Sequence, residues 1–243
     1  MNHLTFKNIG LICFALLISF TSFACSKPEK KVEEIENPAQ VLLTGIDVSN
    51  YNGQIDWQKV KESGVAFAFV KATEGITYKD PMLDANSKGL QEAGLVYGFY
   101  HFFRPEDDAI KQAKHYLESI PETEESKFLP LVVDIEVNDK VPTATLMNRL
   151  EKFVKYIEKH EERKPVIYSY SSFWNENFKA KFQDYPIWIA DYNPYLENPI
   201  LPQEITKWNF WQFTQKGKVP GVNGAVDRSF FQGDYEDLVS MLD

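Results

Sequence analysis

Cysteine is nearly missing from this chain. Its 243 residues include two, Cys13 and Cys25. Cys13 sits in an apolar segment near the start, so the body of the chain has no disulfide pair, no thiolate metal site and no cysteine nucleophile. Excess positive charge is missing too. The formal net charge is −9, whereas nucleic-acid binders need a basic surface, so no nucleic-acid partner is expected. No Gly-x-Gly-x-x-Gly turn follows the first apolar run, and Gly45-Ile46-Asp47 is not a phosphate loop. No serine-centred nucleophile elbow appears, which disfavours acyl transfer. Neither His-x-His nor His-Glu-x-x-His occurs, so His101 is not expected to bind a metal.

The longest apolar stretch, Ile9 to Phe20, is broken only by Gly10 and Ser19. It is short for a membrane span. With Lys7 before it and Ser22-Phe23-Ala24-Cys25 behind, it has the flanks of a signal peptide over residues 1–24. Two cleavage readings compete: ordinary processing before Cys25, giving a secreted protein, or a loose lipobox that lipidates Cys25. The composition of the next segment favours the lipoprotein reading. Ser26 to Gln40 is charged, contains proline and is poor in apolar residues, so residues 25–40 read as a disordered tether, which would reach roughly 50 Å when extended. The expected partner at this end is a membrane, through a lipid on Cys25.

From Val41 to Asp243 apolar runs alternate with amphipathic segments. Strands are expected at Leu42–Val48, Val65–Lys71, Leu95–His101, Leu129–Glu136, Pro165–Tyr170, Ile187–Ala190 and Asn209–Phe213, with a short eighth at Ala225–Asp227. Helices are expected at Asp56–Glu62, Met82–Ala93, Asp107–Ser119, Ala144–His160, Phe173–Lys179 and Tyr235–Leu242, with Asp56 and Thr143 as N-caps. The clearest is Ala144–His160, which places Leu146, Leu150, Phe153, Val154 and Ile157 on one stripe. Strand–helix alternation implies a parallel sheet, either open or closed into a barrel. Helices thin out after Lys179. The expected fold is therefore α/β, an irregular, flattened β/α barrel with helices reduced in the last third, and a monomer is the default.

The most informative run is Leu129-Pro130-Leu131-Val132-Val133-Asp134-Ile135-Glu136-Val137. So apolar a run reads as a strand buried on both faces. Residues at i and i+2 share a face, so two carboxyls leave the strand end together with Cα atoms roughly 6.5 Å apart. Packing gives no reason to bury them. Acid–base chemistry does, because neighbouring carboxyls in different environments can be one protonated and one ionised. Glu136 is expected to be the proton donor, with Asp134 ionised and raising its pKa.

Other polar groups recur at strand ends: Asp47, Glu74, Tyr100, His101, Tyr168, Asp191, Gln212 and Asp227. In a barrel these ends ring one mouth, where active sites are built. His101 is expected to bond a carboxylate or a substrate hydroxyl. Trp188, Trp211, Tyr100, Tyr168 and Tyr192 lie near the same ends, and aromatic faces suit the apolar faces of sugar rings. Acids and aromatics at one mouth point to glycoside hydrolysis.

The chain also resembles a known family. Gly45-Ile46-Asp47-Val48-Ser49 with Ile55-Asp56-Trp57, Lys71-Ala72-Thr73-Glu74-Gly75, Tyr97-Gly98-Phe99-Tyr100-His101-Phe102, Val133-Asp134-Ile135-Glu136, Trp188-Ile189-Ala190, Trp211-Gln212-Phe213 and Val226-Asp227 are similar in order and spacing to glycoside hydrolase family 25, the Chalaropsis-type muramidases. The resemblance implies a cofactor-free, metal-free barrel that cleaves the β-1,4 bond between N-acetylmuramic acid and N-acetylglucosamine in peptidoglycan. It implies Glu136 as catalytic acid, Asp134 as its partner, and Asp47 and Asp227 completing an acidic quartet. Glu74, Tyr100, His101, Tyr168, Trp188, Asp191, Trp211 and Gln212 are the expected substrate contacts. Two mechanisms stay open. In one, the substrate's acetamido oxygen attacks and Asp134 orients the amide; in the other, Asp47 or Asp227 activates water from the opposite face. Two other functions also stay open, a chitinase-like or endo-acetylglucosaminidase enzyme and a non-catalytic glycan-binding lipoprotein.

Overall fold

The computed structural model describes residues 42–121, 127–193 and 195–242. The signal segment, Cys25 and the tether lie outside the described residues. The strands are β1 (Leu43–Val48), β2 (Phe67–Glu74), β3 (Tyr78–Lys79), β4 (Val96–Phe102), β5 (Val132–Asp134), β6 (Val166–Tyr170), β7 (Ile187–Ala190), β8 (Phe210–Gly217) and β9 (Val226–Phe231). The helices are α1 (Trp57–Glu62), α2 (Leu83–Ala93), α3 (Ala109–Ser119), α4 (Thr143–Glu161), α5 (Ser171–Asn177) and α6 (Tyr235–Ser240). The strands pair in the order β1-β2-β4-β5-β6-β7-β8-β9, and β9 returns to β1, closing an eight-stranded barrel. β3 is an antiparallel addition to the end of β2. Every wall pairing is parallel except those of β9, which runs antiparallel to both β8 and β1.

The last third departs from strand–helix alternation, as the thinning of helical patterns implied. Among the described residues no helix lies between α5 and α6. β8 and β9 form a hairpin, and the pairing carries both past their expected bounds, to Gly217 and Phe231. This corrects one expectation: Asp227 stands at the start of its strand, not the end. Because β9 is reversed, its beginning reaches the same mouth as the ends of the parallel strands, opposite Asp47.

Two local expectations also change. Of the run Leu129–Glu136 only Val132–Asp134 forms ladder structure, since Pro130 has no N–H to donate. Ile135 N still bonds Tyr168 O at 3.1 Å, so the chain stays pinned as it carries Glu136 past the strand end. Asp56 caps α1 by accepting from Lys59 N. Thr143 is the first residue of α4 rather than its cap, and its hydroxyl bonds Asn177 Oδ1 instead.

Side chains along each strand alternate between two apolar layers. Phe67, Phe69, Val132, Val166, Trp188, Phe210 and Phe231 fill the barrel interior, and Leu238 of α6 joins that cluster. Ile46, Val70, Val133, Ile167 and Ile189 face outward and pack with the helices, including the fully buried stripe of α4. Gly45 is an interior position where size decides. A Cβ there would lie 2.3 Å from the Phe67 ring, so only hydrogen fits beside the aromatic that fills the barrel.

Candidate active site

Parity along the strands selects the residues of the mouth. Above the aromatic interior, the next inward positions are Asp47 on β1, Lys71 on β2, Tyr100 on β4, Asp134 on β5, Tyr168 on β6, Gln212 on β8 and Asp227 on β9. Together with Glu136, Trp188 and Tyr192 they line a cavity of about 290 Å³. Residues far apart in sequence thus converge, and all four acids of the expected quartet face one space.

Four expected contacts do not line this cavity. His101 is one residue out of phase with Tyr100, so it points to the helix layer. It is fully buried there, stacked on Phe153, with Thr73 Oγ1 at 2.7 Å and Gln112 Oε1 at 3.1 Å. It bonds an amide and a hydroxyl, not a carboxylate or a ligand. Trp211 is out of phase with Gln212, packs in the outer layer and donates to Asp191 O. Asp191 accepts from Asn193 N and Ile200 N, bracing the loop after β7. Glu74 faces the mouth but is held in ion pairs.

That pairing exposes a residue that the sequence motifs did not single out. β2 has a register shift between Lys71 and Thr73. A bulge of this kind resets which face comes next, so Lys71 and Glu74 both turn inward while Thr73 turns to His101. Lys71 Nζ lies 2.6 Å from Glu74 Oε2, and Arg104 Nε lies 2.8 Å from Glu74 Oε1. Arg104 also reaches Asp139. Lys71 is therefore a fixed cation within a cavity of carboxyls. Its inward phase with Phe67 and Phe69 was a readable signal. Gln215, another cavity residue, lies beyond a second register shift in β8 and left no such signal.

Hydrogen bonding divides the four acids. Gln212 Nε2 donates to both oxygens of Asp47, at 2.9 and 3.0 Å, while its Oε1 accepts from Tyr168 and Tyr192 hydroxyls at 2.8 and 2.6 Å. Asp47 is thus clamped. Asp134 is buried, and its Oδ1 has no hydrogen-bond partner among the described residues. Burial pushes Asp134 well above the ordinary carboxyl range, and the neighbouring Glu136 charge adds to this, while Lys71 opposes it. Glu136 is raised first by burial and then by the charge of Asp227, again opposed by Lys71. Asp134 and Glu136 are neighbouring acids in one buried site and both are raised, with the Asp227 charge adding to the effect on Glu136. Asp227 is pushed up to about 6 by burial.

Two predictions arise here. Lys71→Met removes the charge that lowers both Asp134 and Glu136, so both carboxyls titrate higher. The pH–activity profile should move bodily to higher pH, by about one unit; an unmoved profile would show that Lys71 does not act on the pair. The second concerns stability. Between 3.8 and about 6 the folded protein keeps a proton on Asp227 that the unfolded chain has released. Stability from this group is therefore present at low pH and lost as pH rises through that window. Asp227→Asn should raise Tm at neutral pH, by roughly 2–4 °C for each kcal/mol relieved, and leave it unchanged at pH values below the window. Equal Tm shifts at both pH values would contradict this.

A family model described as glycosyl hydrolases family 25 matches residues 46–222. The chain is 36% identical over 214 residues to the uncharacterized protein YegX of Escherichia coli strain K12, spanning 86% of this chain and 76% of that one. It is 33% identical over 210 residues to lysozyme M1 of Streptomyces globisporus, spanning 82% and 71% of the two chains. The crystal structure of the bacterial lysozyme from Streptomyces coelicolor superposes with a TM-score of 0.76 at 32% identity, covering 82% of this chain and 96% of that one.

Proposed function

The chain belongs to glycosyl hydrolases family 25 and is a glycoside hydrolase, and from that premise we propose that it is a muramidase, cleaving the β-1,4 bond between N-acetylmuramic acid and N-acetylglucosamine in peptidoglycan. The observation that carries this reading is the cavity itself: four carboxyls, each raised by burial, enclosed by Tyr100, Tyr168 and Trp188. A raised carboxyl holds its proton to higher pH than an ordinary one, which favours protonating a glycosidic oxygen. Relatives named lysozyme and N,O-diacetylmuramidase support the choice of substrate.

Glu136 is the general acid. It stands past the end of β5 and is less enclosed than Asp134, so it can meet an oxygen between two sugars. Asp134 receives the acetamido N–H of the sugar on the donor side. Its unpartnered Oδ1 is an acceptor without a donor, and the substrate supplies one. The amide, so oriented, turns its carbonyl oxygen on the anomeric carbon. The C–O bond breaks as Glu136 delivers its proton to the leaving oxygen. Water then opens the cyclic intermediate, with the Glu136 carboxylate taking up the proton. Asp47, with both oxygens held by Gln212, suits fixed electrostatic support better than water activation. Lys71 supplies the countercharge that lets Asp134 act as a carboxylate once the site is filled.

Digesting purified peptidoglycan and chitin oligomers and identifying the new reducing-end sugar by mass spectrometry tests the assignment. Muramic acid at the new end is expected; glucosamine ends would make the protein an endo-acetylglucosaminidase. The finer reading of location is that the enzyme is exported and anchored by a lipid on Cys25. Cells should incorporate labelled palmitate into the protein, and Cys25→Ser should remove the label and move the protein to the soluble fraction. An unlabelled parent protein would leave secretion as the reading.

A further inference from the structure

The chain that carries Glu136 past the end of β5 turns sharply before α4. Asn138 makes the turn, its Oδ1 accepting from Lys140 N at 3.0 Å and its O accepting from Val141 N at 2.9 Å. Asp139 and Lys140 both have positive φ, 46° and 61°. Two left-handed residues in a row, neither of them glycine, are costly and persist only where the surroundings hold them. The Asp139 side chain is 12% exposed. Its Oδ2 is buried with no hydrogen-bond partner among the described residues, and its Oδ1 accepts from Arg104 Nη1 at 3.2 Å.

Arg104 is itself held from three sides. Gln112 clamps its backbone, with Oε1 accepting from Arg104 N at 2.9 Å and Nε2 donating to Arg104 O at 2.8 Å. The guanidinium lies over the Phe102 ring, 4.8 Å from its centroid. Nε and Nη2 both donate to Glu74 Oε1, which leaves Glu74 Oε2 to Lys71. Burial would raise Glu74, but the hydrogen bonds from Lys71 and Arg104 keep it below the ordinary carboxyl range, so both contacts are charge-assisted.

We propose that Arg104 is the positioning residue of the general acid: by joining Glu74 on β2 to Asp139 on the β5–α4 loop, it fixes that loop and with it the place of Glu136 at the mouth. The inference rests on the reading of Glu136 as the acid of a muramidase. Neither Arg104 nor Asp139 lines the catalytic cavity, so Arg104 acts through the loop and not on the sugar. Without Arg104, Asp139 becomes an enclosed carboxyl with no partner, which is costly. The turn then opens to hydrate it, and Glu136, on the same short loop, moves too. A shift of about 1 Å is enough to slow a reaction by on the order of 10²-fold. Sugar binding is spared, because Asp47, Tyr100, Tyr168 and Trp188 stand on strands that the loop does not carry.

The test uses leaving groups that differ in their need for a proton. One substrate joins the disaccharide N-acetylglucosaminyl-N-acetylmuramic acid to an identical disaccharide. The other joins it to 4-methylumbelliferone, a phenol that departs as its anion with little help from an acid. Arg104→Met should lower kcat/KM on the tetrasaccharide at least about tenfold, through kcat and with KM within about twofold, but lower kcat/KM on the aryl glycoside less than about threefold, each at the optimum pH of the variant. Asp139→Ala should give the same selective loss, and the two changes together no more than about twofold beyond either alone. Asp139→Asn tolerates the left-handed backbone and keeps an oxygen for Arg104, so it should recover most of what Asp139→Ala loses. If thermal unfolding shows that Arg104→Met does not fold, the ratio of the two substrates for Asp139→Ala against Asp139→Asn decides the matter in the same way. Equal loss on both substrates, loss on neither, or additive losses overturn the role of Arg104. A parent protein that cleaves neither substrate nor peptidoglycan overturns the muramidase reading and this inference with it.

Discussion

Glu136→Gln should abolish cleavage of peptidoglycan, with kcat reduced by at least about 10³-fold, while glycan affinity changes by no more than about threefold. The amide keeps the shape and hydrogen-bonding capacity of the acid but has no proton to give. Structure argues that the loss will be chemical. No side-chain hydrogen bond to the Glu136 carboxyl exists among the described residues, so the substitution breaks no internal hydrogen bond there. The carboxyl is raised by burial and by Asp227, which means its ionised form is unfavourable in the folded state. A neutral amide should therefore leave Tm at neutral pH unchanged or higher. Single-turnover rates, binding by titration and Tm measured on one preparation separate these effects. Parent-like cleavage by Glu136→Gln would remove Glu136 from the role of acid.

Strand phase explains what was legible in sequence and what was not. The barrel could be read because its wall is built from short apolar runs that alternate with amphipathic helices, and because acids recur where those runs end. The Asp134 and Glu136 pair stood out because nothing in packing accounts for it, while Asp47 and Asp227 joined it through the family resemblance. Phase within each strand was the weak point. Tyr100 and His101 are adjacent, as are Trp211 and Gln212, and both pairs looked alike as polar or aromatic groups at a strand end. The pleat sends one of each pair to the mouth and the other to the helices. Asp134 and Glu136 were in phase by spacing alone, whereas Lys71 and Glu74 share a face only through a bulge. A bulge adds a residue without changing composition, so sequence hides it. The reversal of β9 was hidden for a related reason. Val226-Asp227 looks the same whether its strand ends or begins at the mouth, and only pairing with β8 and β1 decides.

Asp134→Asn should lower kcat by about 10²- to 10³-fold, with the first-formed product in the β configuration for both parent and variant. The carboxylate has two tasks in the proposed route: accepting the acetamido N–H and balancing the positive charge that develops on the cyclised amide. Asparagine can perform part of the first and none of the second. Its amide N–H₂ would also occupy a buried position where Asp134 Oδ1 has no donor or acceptor facing it, so a misoriented substrate adds to the loss. The configuration of the product is the sharper readout. Attack by the substrate's own amide and then by water inverts the anomeric carbon twice, so proton NMR should show the β-anomer before mutarotation. The same logic makes N-deacetylated glycan a non-substrate, because the attacking oxygen is gone. An α-anomer formed first would mean one direct displacement by water. The base would then have to lie across the cavity, where Asp227 is the stronger candidate, since Gln212 already occupies both oxygens of Asp47.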